Sequence, residues 1–125
     1  MTTIITVCTT CKRKTDAAED GGIPDGERLA DSVELAARDR ENVQVRRHNC
    51  LMGCDFACNV TIQDPTKISY AVGMFEPTCD AAEAIVDYAA LHAESETGQV
   101  PYRTWPQGIK GHFRSRMLPV TAEDA

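Results

Sequence analysis

The sequence contains six cysteines: Cys8, Cys11, Cys50, Cys54, Cys58 and Cys79. Five of them fall into two motifs, C-x-x-C at 8–11 and C-x-x-x-C-x-x-x-C at 50–58. An even count in a short secreted chain reads as a disulfide framework. The opening MTTIITVC argues against export, because it has no basic start and only a short apolar stretch. The expected compartment is therefore the cytoplasm, where clustered cysteines mean a metal site or redox chemistry.

Three chemistries use such a set. An iron–sulfur cluster is held by thiolates, typically four for [2Fe–2S], and each motif supplies two. Structural zinc takes four thiolates in a tetrahedron. Spacing alone does not separate zinc from iron. Dithiol–disulfide exchange at Cys8–Cys11 is the third, since C-x-x-C beside a βαβ unit is its signal. That signal is weakened here, because Lys12, Arg13 and Lys14 and then a turn-rich stretch follow Cys11 rather than a helix. The helix-dipole contribution that lowers a thiol pKa would be missing.

These cysteines need elements that bring them together. Thr3 to Val7 is β-branched or apolar throughout and reads as a buried strand leading into Cys8. Residues 12–26 are polar and hold Gly21, Gly22, Pro24 and Gly26, a turn-rich connection. Leu29, Val33, Ala36 and Ala37 then mark one helical face, with Asp25 as its N-cap. Residues 42–48 alternate as a second strand, and 48–56 form a loop with Gly53. Val60 and Ile62, then Ile68, Tyr70 and Val72, predict a hairpin over 59–73 turned by Asp64-Pro65-Thr66-Lys67. A second helix is expected near Asp80, with capping-box spacing to Glu83, an apolar face from Ala81 to His92, and Gly98 as its stop.

The order is β-α-β-β-β-α, the arrangement of a thioredoxin-like α/β domain. The first two strands are expected to be parallel with a right-handed crossover. Both cysteine loops then fall at the carboxyl edge of the sheet, where open α/β folds place their sites. Residues 1–97 would form this domain, with 98–125 an irregular, basic and aromatic strap packed on it.

VCTTC, followed by CLMGCDFACNVTIQDPTKISYAVG, resembles the thioredoxin-like [2Fe–2S] ferredoxins. More closely, residues 5–110 resemble a family of small bacterial predicted metal-binding proteins of unassigned function. Their members often carry C-x-x-C and C-L-x-G-C-D-x-x-C and are often encoded near cobalamin-synthesis genes. The resemblance implies an electron carrier rather than an enzyme, bearing one [2Fe–2S] cluster on Cys8, Cys11, Cys50 and Cys54. It implies a redox partner protein, a link to cobalamin or other tetrapyrrole metabolism, and the option of a homodimer. Two features depart from the better-known ferredoxins, whose first two cysteines lie further apart and which carry proline near the place of Cys58. Cys58 is therefore an alternative to Cys11 as fourth ligand, or a reserve thiol beside the site. Cys79 lies outside both motifs and reads as a small, half-buried residue. His48 reads as a non-ligand, although histidine replaces cysteine in Rieske centres.

Charge narrows the partners. The net charge is −6, which disfavours general nucleic-acid binding. No apolar run approaches the roughly 20 residues needed to span a membrane. Residues 1–97 carry 9 basic and 17 acidic side chains, whereas Arg103, Lys110, Arg114 and Arg116 stand without an acid in 98–120. Those four cations, with Tyr102, Trp105 and Phe113, suit a strap covering the core, or a surface that docks an acidic partner. Arg46 and Arg47 flank the second cysteine loop, where they either raise a cluster potential or form an ordinary solvated run. No serine–histidine–aspartate or paired-carboxylate arrangement can be read from spacing, and no phosphate-cradling glycine motif is present. The remaining alternatives are a structural-zinc or metal-carrying binding protein and a thiol–disulfide oxidoreductase.

Overall fold

The computed structural model describes residues 2–9, 25–49 and 58–119. Strand β1 (Thr3–Cys8) is followed by α1 (Asp25–Ala37), β2 (Val43–His48), β3 (Val60–Gln63), β4 (Ser69–Val72), α2 (Cys79–Glu94) and β5 (Phe113–Met117). Two single-turn 3-10 helices, Tyr102–Thr104 and Gln107–Ile109, lie between α2 and β5. The sheet order is β2-β1-β3-β4-β5. β1 pairs parallel with β2, as the crossover rule requires, and antiparallel with β3. The β3–β4 and β4–β5 pairs are antiparallel.

The period-two pattern sets which side chains enter the core. Ile5 and Val7 of β1 stand in register with Ile62 and Val60 of β3, and all four are fully buried. Leu29, Ala30 and Val33 of α1 and Ile85, Tyr88 and Ala89 of α2 pack on that side. Both helices therefore cover one face. Thr3 reaches α2 through His92, and Arg47 reaches α1 through Asp31 and Glu34. The opposite face carries Thr6, where the Arg46 Nε donates to Oγ1 at 2.6 Å.

Three expectations need correction. The strap is not irregular throughout: Phe113–Met117 forms the fifth strand, with a register shift at Ala71/Val72. Within the strap Ile109 is fully buried, and Trp105 and Phe113 pack around Tyr88. The second helix begins at Cys79, near Asp80 as expected, but its cap differs. Thr78 is the N-cap, accepting from the Ala81 amide at 3.2 Å, so Asp80 is already inside the first turn. Likewise Asp25 is the first residue of α1 rather than the residue before it.

The end of α2 is fixed by a buried polar cluster. Lys67 is 1% exposed, and its ammonium donates to the carbonyls of His92 at 3.0 Å and Ala93 at 2.8 Å. Those carbonyls lie in the last turn, where carbonyls run out of helical partners; the His92 carbonyl also accepts from the Ser95 amide at 3.2 Å, and a cation there complements the dipole. His92 is fully buried, with Nδ1 2.7 Å from Thr3 Oγ1 and Nε2 2.7 Å from the Ile68 carbonyl. A carbonyl only accepts, so Nε2 carries the proton and Nδ1 accepts from Thr3.

Candidate metal centre

Cys8 is the last residue of β1, 1% exposed, and stands opposite His48 at the end of β2. Its amide donates to the Asn59 carbonyl at 3.2 Å, and its sulfur lies 3.9 Å from the Asn49 carbonyl oxygen. The Thr9 amide and hydroxyl both donate to the His48 carbonyl, at 2.9 and 3.2 Å. Parallel pairing brings the end of β2 to Cys8, and antiparallel pairing brings the start of β3 there. Asn49 and Asn59, close to the two ends of the segment 50–57, therefore both flank Cys8.

Cys58 is also fully buried, but in a different setting. It belongs to the apolar core that includes Val60 and Phe75. Its backbone pairs both ways with Phe75, amide to carbonyl at 3.3 and 3.4 Å. Phe75 in turn stacks on His112, with ring centroids 4.3 Å apart and planes 10° from parallel. His112 Nδ1 donates to the Gly73 carbonyl at 2.8 Å, which fixes the ring. Between Gly73 and Phe75, Met74 holds a φ of 63° and is exposed.

Cys79 corrects another expectation. It is exposed rather than half-buried, because it occupies the first position of α2. Cys11, Cys50 and Cys54 lie outside the described residues, as do Lys12, Arg13, Lys14, Met52, Gly53 and Asp55. Among the described residues, no three or more histidines, cysteines or carboxylates group to hold a metal.

The cations beside the second motif have structural partners. Arg47 Nε donates to Glu34 at 2.8 Å, and its Nη2 to Asp31 at 2.6 Å and Glu34 at 2.9 Å. These bonds, Glu34 first, push the Arg47 pKa up, and the same bond from Arg47 pulls Glu34 below its ordinary value. Arg46 lies across the face opposite the helices, bonded to Thr6 and, at 3.4 Å, to Gln63. Both side chains thus tie β2 to its neighbours.

The residues that frame this end and that the sequence did not single out are Asn49, Asn59, Phe75 and His112. Asn49 and Asn59 act through backbone carbonyls, which any residue supplies. The Phe75–His112 stack joins two segments 37 positions apart in the chain, and no local pattern encodes it.

A family model described as a protein of unknown function (DUF1636) matches residues 5–119. The chain belongs to that family. No curated protein matches this DUF1636 member. Among solved structures it is similar to a thioredoxin-like [2Fe–2S] ferredoxin from Aquifex aeolicus, with a TM-score of 0.55 and 12% identity. That match covers 96% of this chain and 97% of the ferredoxin. At that identity the likeness establishes the fold: a thioredoxin-like α/β domain. No helix among the described residues is long and apolar enough to cross a membrane.

Proposed function

We propose that this DUF1636 protein is a one-electron carrier holding a [2Fe–2S] cluster on Cys8, Cys11, Cys50 and Cys54. The observation that carries the proposal is the placement of Cys8. It is buried at the carboxyl end of β1, with Asn49 on one side and Asn59, next to Cys58, on the other. Residues some 40 to 50 positions apart are thereby assembled at one end of the sheet, as an iron–sulfur site drawn from two loops requires. Similarity in fold to a thioredoxin-like [2Fe–2S] ferredoxin supports the same reading.

The donor chemistry fits the group. Cys8 is a soft thiolate ligand held rigid by its place in the ladder, and the other three cysteines belong to the segments that continue from Thr9 and Asn49. Cys58 is assigned to the core instead, because it is fully buried among the apolar core residues and its backbone pairs with Phe75. When bound, the cluster supplies reversible storage of a single electron. The chain supplies the rest. β1 and β2 fix Cys8 against movement, and its burial keeps water from the sulfur. Burial also disfavours thiol–disulfide exchange at Cys8–Cys11, since attack needs an accessible thiolate.

The test is anaerobic purification, a visible spectrum, and iron, sulfide and zinc per chain. About two irons and two sulfides per chain are expected. One zinc and no colour would refute electron transfer and favour a structural or metal-handling role. Cys58→Ala should retain the spectrum, whereas Cys8→Ser, Cys50→Ser or Cys54→Ser should abolish it. Loss of the spectrum in Cys58→Ala, with Cys11→Ser unaffected, would exchange those two assignments.

A further inference from the structure

β5 is the outermost strand of the sheet, and among the described residues no strand pairs with its outer side. Arg114, Ser115, Arg116 and Met117 are exposed along it. An unpaired edge offers a row of amide donors and carbonyl acceptors to another extended chain. Beside this edge lies a pocket of about 470 Å³, walled by Tyr70, Val100, Trp105 and Phe113. The rings of Trp105 and Phe113 are 4.6 Å apart, and those of Tyr70 and Phe113 are 5.3 Å apart. Arg114 and Arg116 stand at the rim, and no carboxylate is among its described lining residues. Arg116 is in register with Tyr70, which puts it on the pocket side of the strand. It makes no ion pair among the described residues, while Arg114 reaches Met74 Sδ and the Gly111 carbonyl, both at 3.3 Å.

We propose that this edge receives an extended, acidic segment of a partner polypeptide, which pairs with β5 and places an apolar side chain in the Tyr70–Trp105–Phe113 pocket. Charge identifies the occupant. The stretch 98–120 carries four cations and no acid in an otherwise acidic protein. A second copy of this chain is disfavoured, because antiparallel self-pairing of β5 would set arginine against arginine. Main-chain pairing supplies affinity, the pocket selects one side chain, and the arginines steer the encounter. The proposal concerns binding alone and stands whether the cysteines hold iron, zinc or nothing.

Trp105 is the only tryptophan in the sequence, so its emission reports on the pocket. The full chain is titrated with a blocked heptapeptide of alternating glutamate and valine bearing phenylalanine at its centre. Two further peptides have lysine in place of glutamate, or N-methyl groups on alternate backbone nitrogens. Saturable change is expected for the acidic peptide, weakened about tenfold by Arg116→Glu and largely kept by Arg116→Lys. The lysine peptide and the N-methylated peptide should each bind at least about tenfold more weakly. Equal binding of acidic and basic peptides would overturn the proposal. Full affinity for the N-methylated peptide would do so as well, since it shows pocket filling without strand pairing. No change in emission up to about 1 mM acidic peptide also rejects it. Circular dichroism of each Arg116 variant confirms that the sheet is intact.

Discussion

Gly98 is where the buried polar cluster tolerates least, and Gly98→Ala has a magnitude that can be worked out. Its φ is +88°, a conformation that costs an alanine about 1 to 2 kcal/mol. An added β-carbon would lie 2.9 Å from His92 Nε2, 2.9 Å from the Ile68 carbonyl oxygen and 3.0 Å from the Ile68 nitrogen. None of these can retreat freely. The Ile68 amide is bonded to the Thr97 carbonyl at 3.0 Å, and its carbonyl holds His92. Relief requires opening the His92–Ile68 bond, and leaving such buried groups unpaired costs about 1 to 3 kcal/mol more. The expected loss is about 2 to 5 kcal/mol, against a typical total of about 5 to 15 kcal/mol. In a chain of this size that lowers Tm by about 6 to 25 °C. Gly111→Ala is the internal control. Its φ is +84° but nothing lies within 4 Å of its added β-carbon, so only the conformational cost of about 1 to 2 kcal/mol applies. Urea unfolding of both variants, followed by circular dichroism, measures the difference. Equal losses at the two positions would refute the packing argument.

Other substitutions probe the same core. Burial first, then Lys67, holds the His92 pKa below its ordinary value, against the Ile68 carbonyl and Asp64, which raise it. The unfolded chain therefore binds the extra proton more readily. Stability should be full above about pH 6.5 and fall as pH drops below it, and His92→Gln should flatten that slope in denaturant titrations. Burial pushes Asp64 up, but the Thr66 amide and hydroxyl and Lys67 outweigh it, leaving its pKa lowered. Its contribution is lost in a separate window, below about pH 4. The Tyr88 hydroxyl is buried without a hydrogen-bond partner among the described residues. Burial, then Tyr70, pushes its pKa up, although the contact with Tyr70 falls short of hydrogen-bond geometry. Tyr88→Phe should therefore raise stability by about 1 kcal/mol, and a loss of that size in thermal melts would show the hydroxyl to be bonded. Lys67→Met should cost about 1 to 3 kcal/mol by removing the ammonium from the Ala93 carbonyl and from the His92 carbonyl, which keeps the Ser95 amide, read from the shift in urea midpoint.

The sequence made the buried elements legible because their side chains repeat with the period of the structure. Thr3 to Val7 and the 59–73 hairpin alternate or run apolar, and both helices show their faces. β5 escaped notice because an edge strand needs little burial: Phe-Arg-Ser-Arg-Met offers two apolar residues, separated by three polar ones. The cap of α2 was misplaced because Asp80 and Glu83 have capping-box spacing, whereas the observed hydrogen bond makes Thr78 the N-cap. At the site, the position of Cys8 followed from its strand. The setting of Cys58 did not, because spacing treats every cysteine of a C-x-x-x-C-x-x-x-C run alike. Its backbone pairing with Phe75 joins segments that no local pattern links. Arg46 and Arg47 read equally as potential-tuning charges or as a solvated run, because no local pattern shows that Thr6, Asp31 and Glu34 engage them.

The central position of β1 has a consequence for how the protein forms. Its two pairing partners come from distant parts of the chain, with Thr3 opposite Val43 and Ile4 opposite Gln63. During synthesis β1 emerges well before either, and its apolar side chains wait for both. Contacts of such long range make folding slow and leave the intermediate prone to aggregation. The anchors of Cys8, to His48 and Asn49 on one side and Asn59 on the other, are the same long-range contacts. The cysteine motifs are thus scattered in the nascent chain, and the end of the sheet at Cys8 exists only once β1 has been inserted between its neighbours. Under the proposed function, loading of the cluster is then a late event in maturation, and chaperone demand falls on the interval before it.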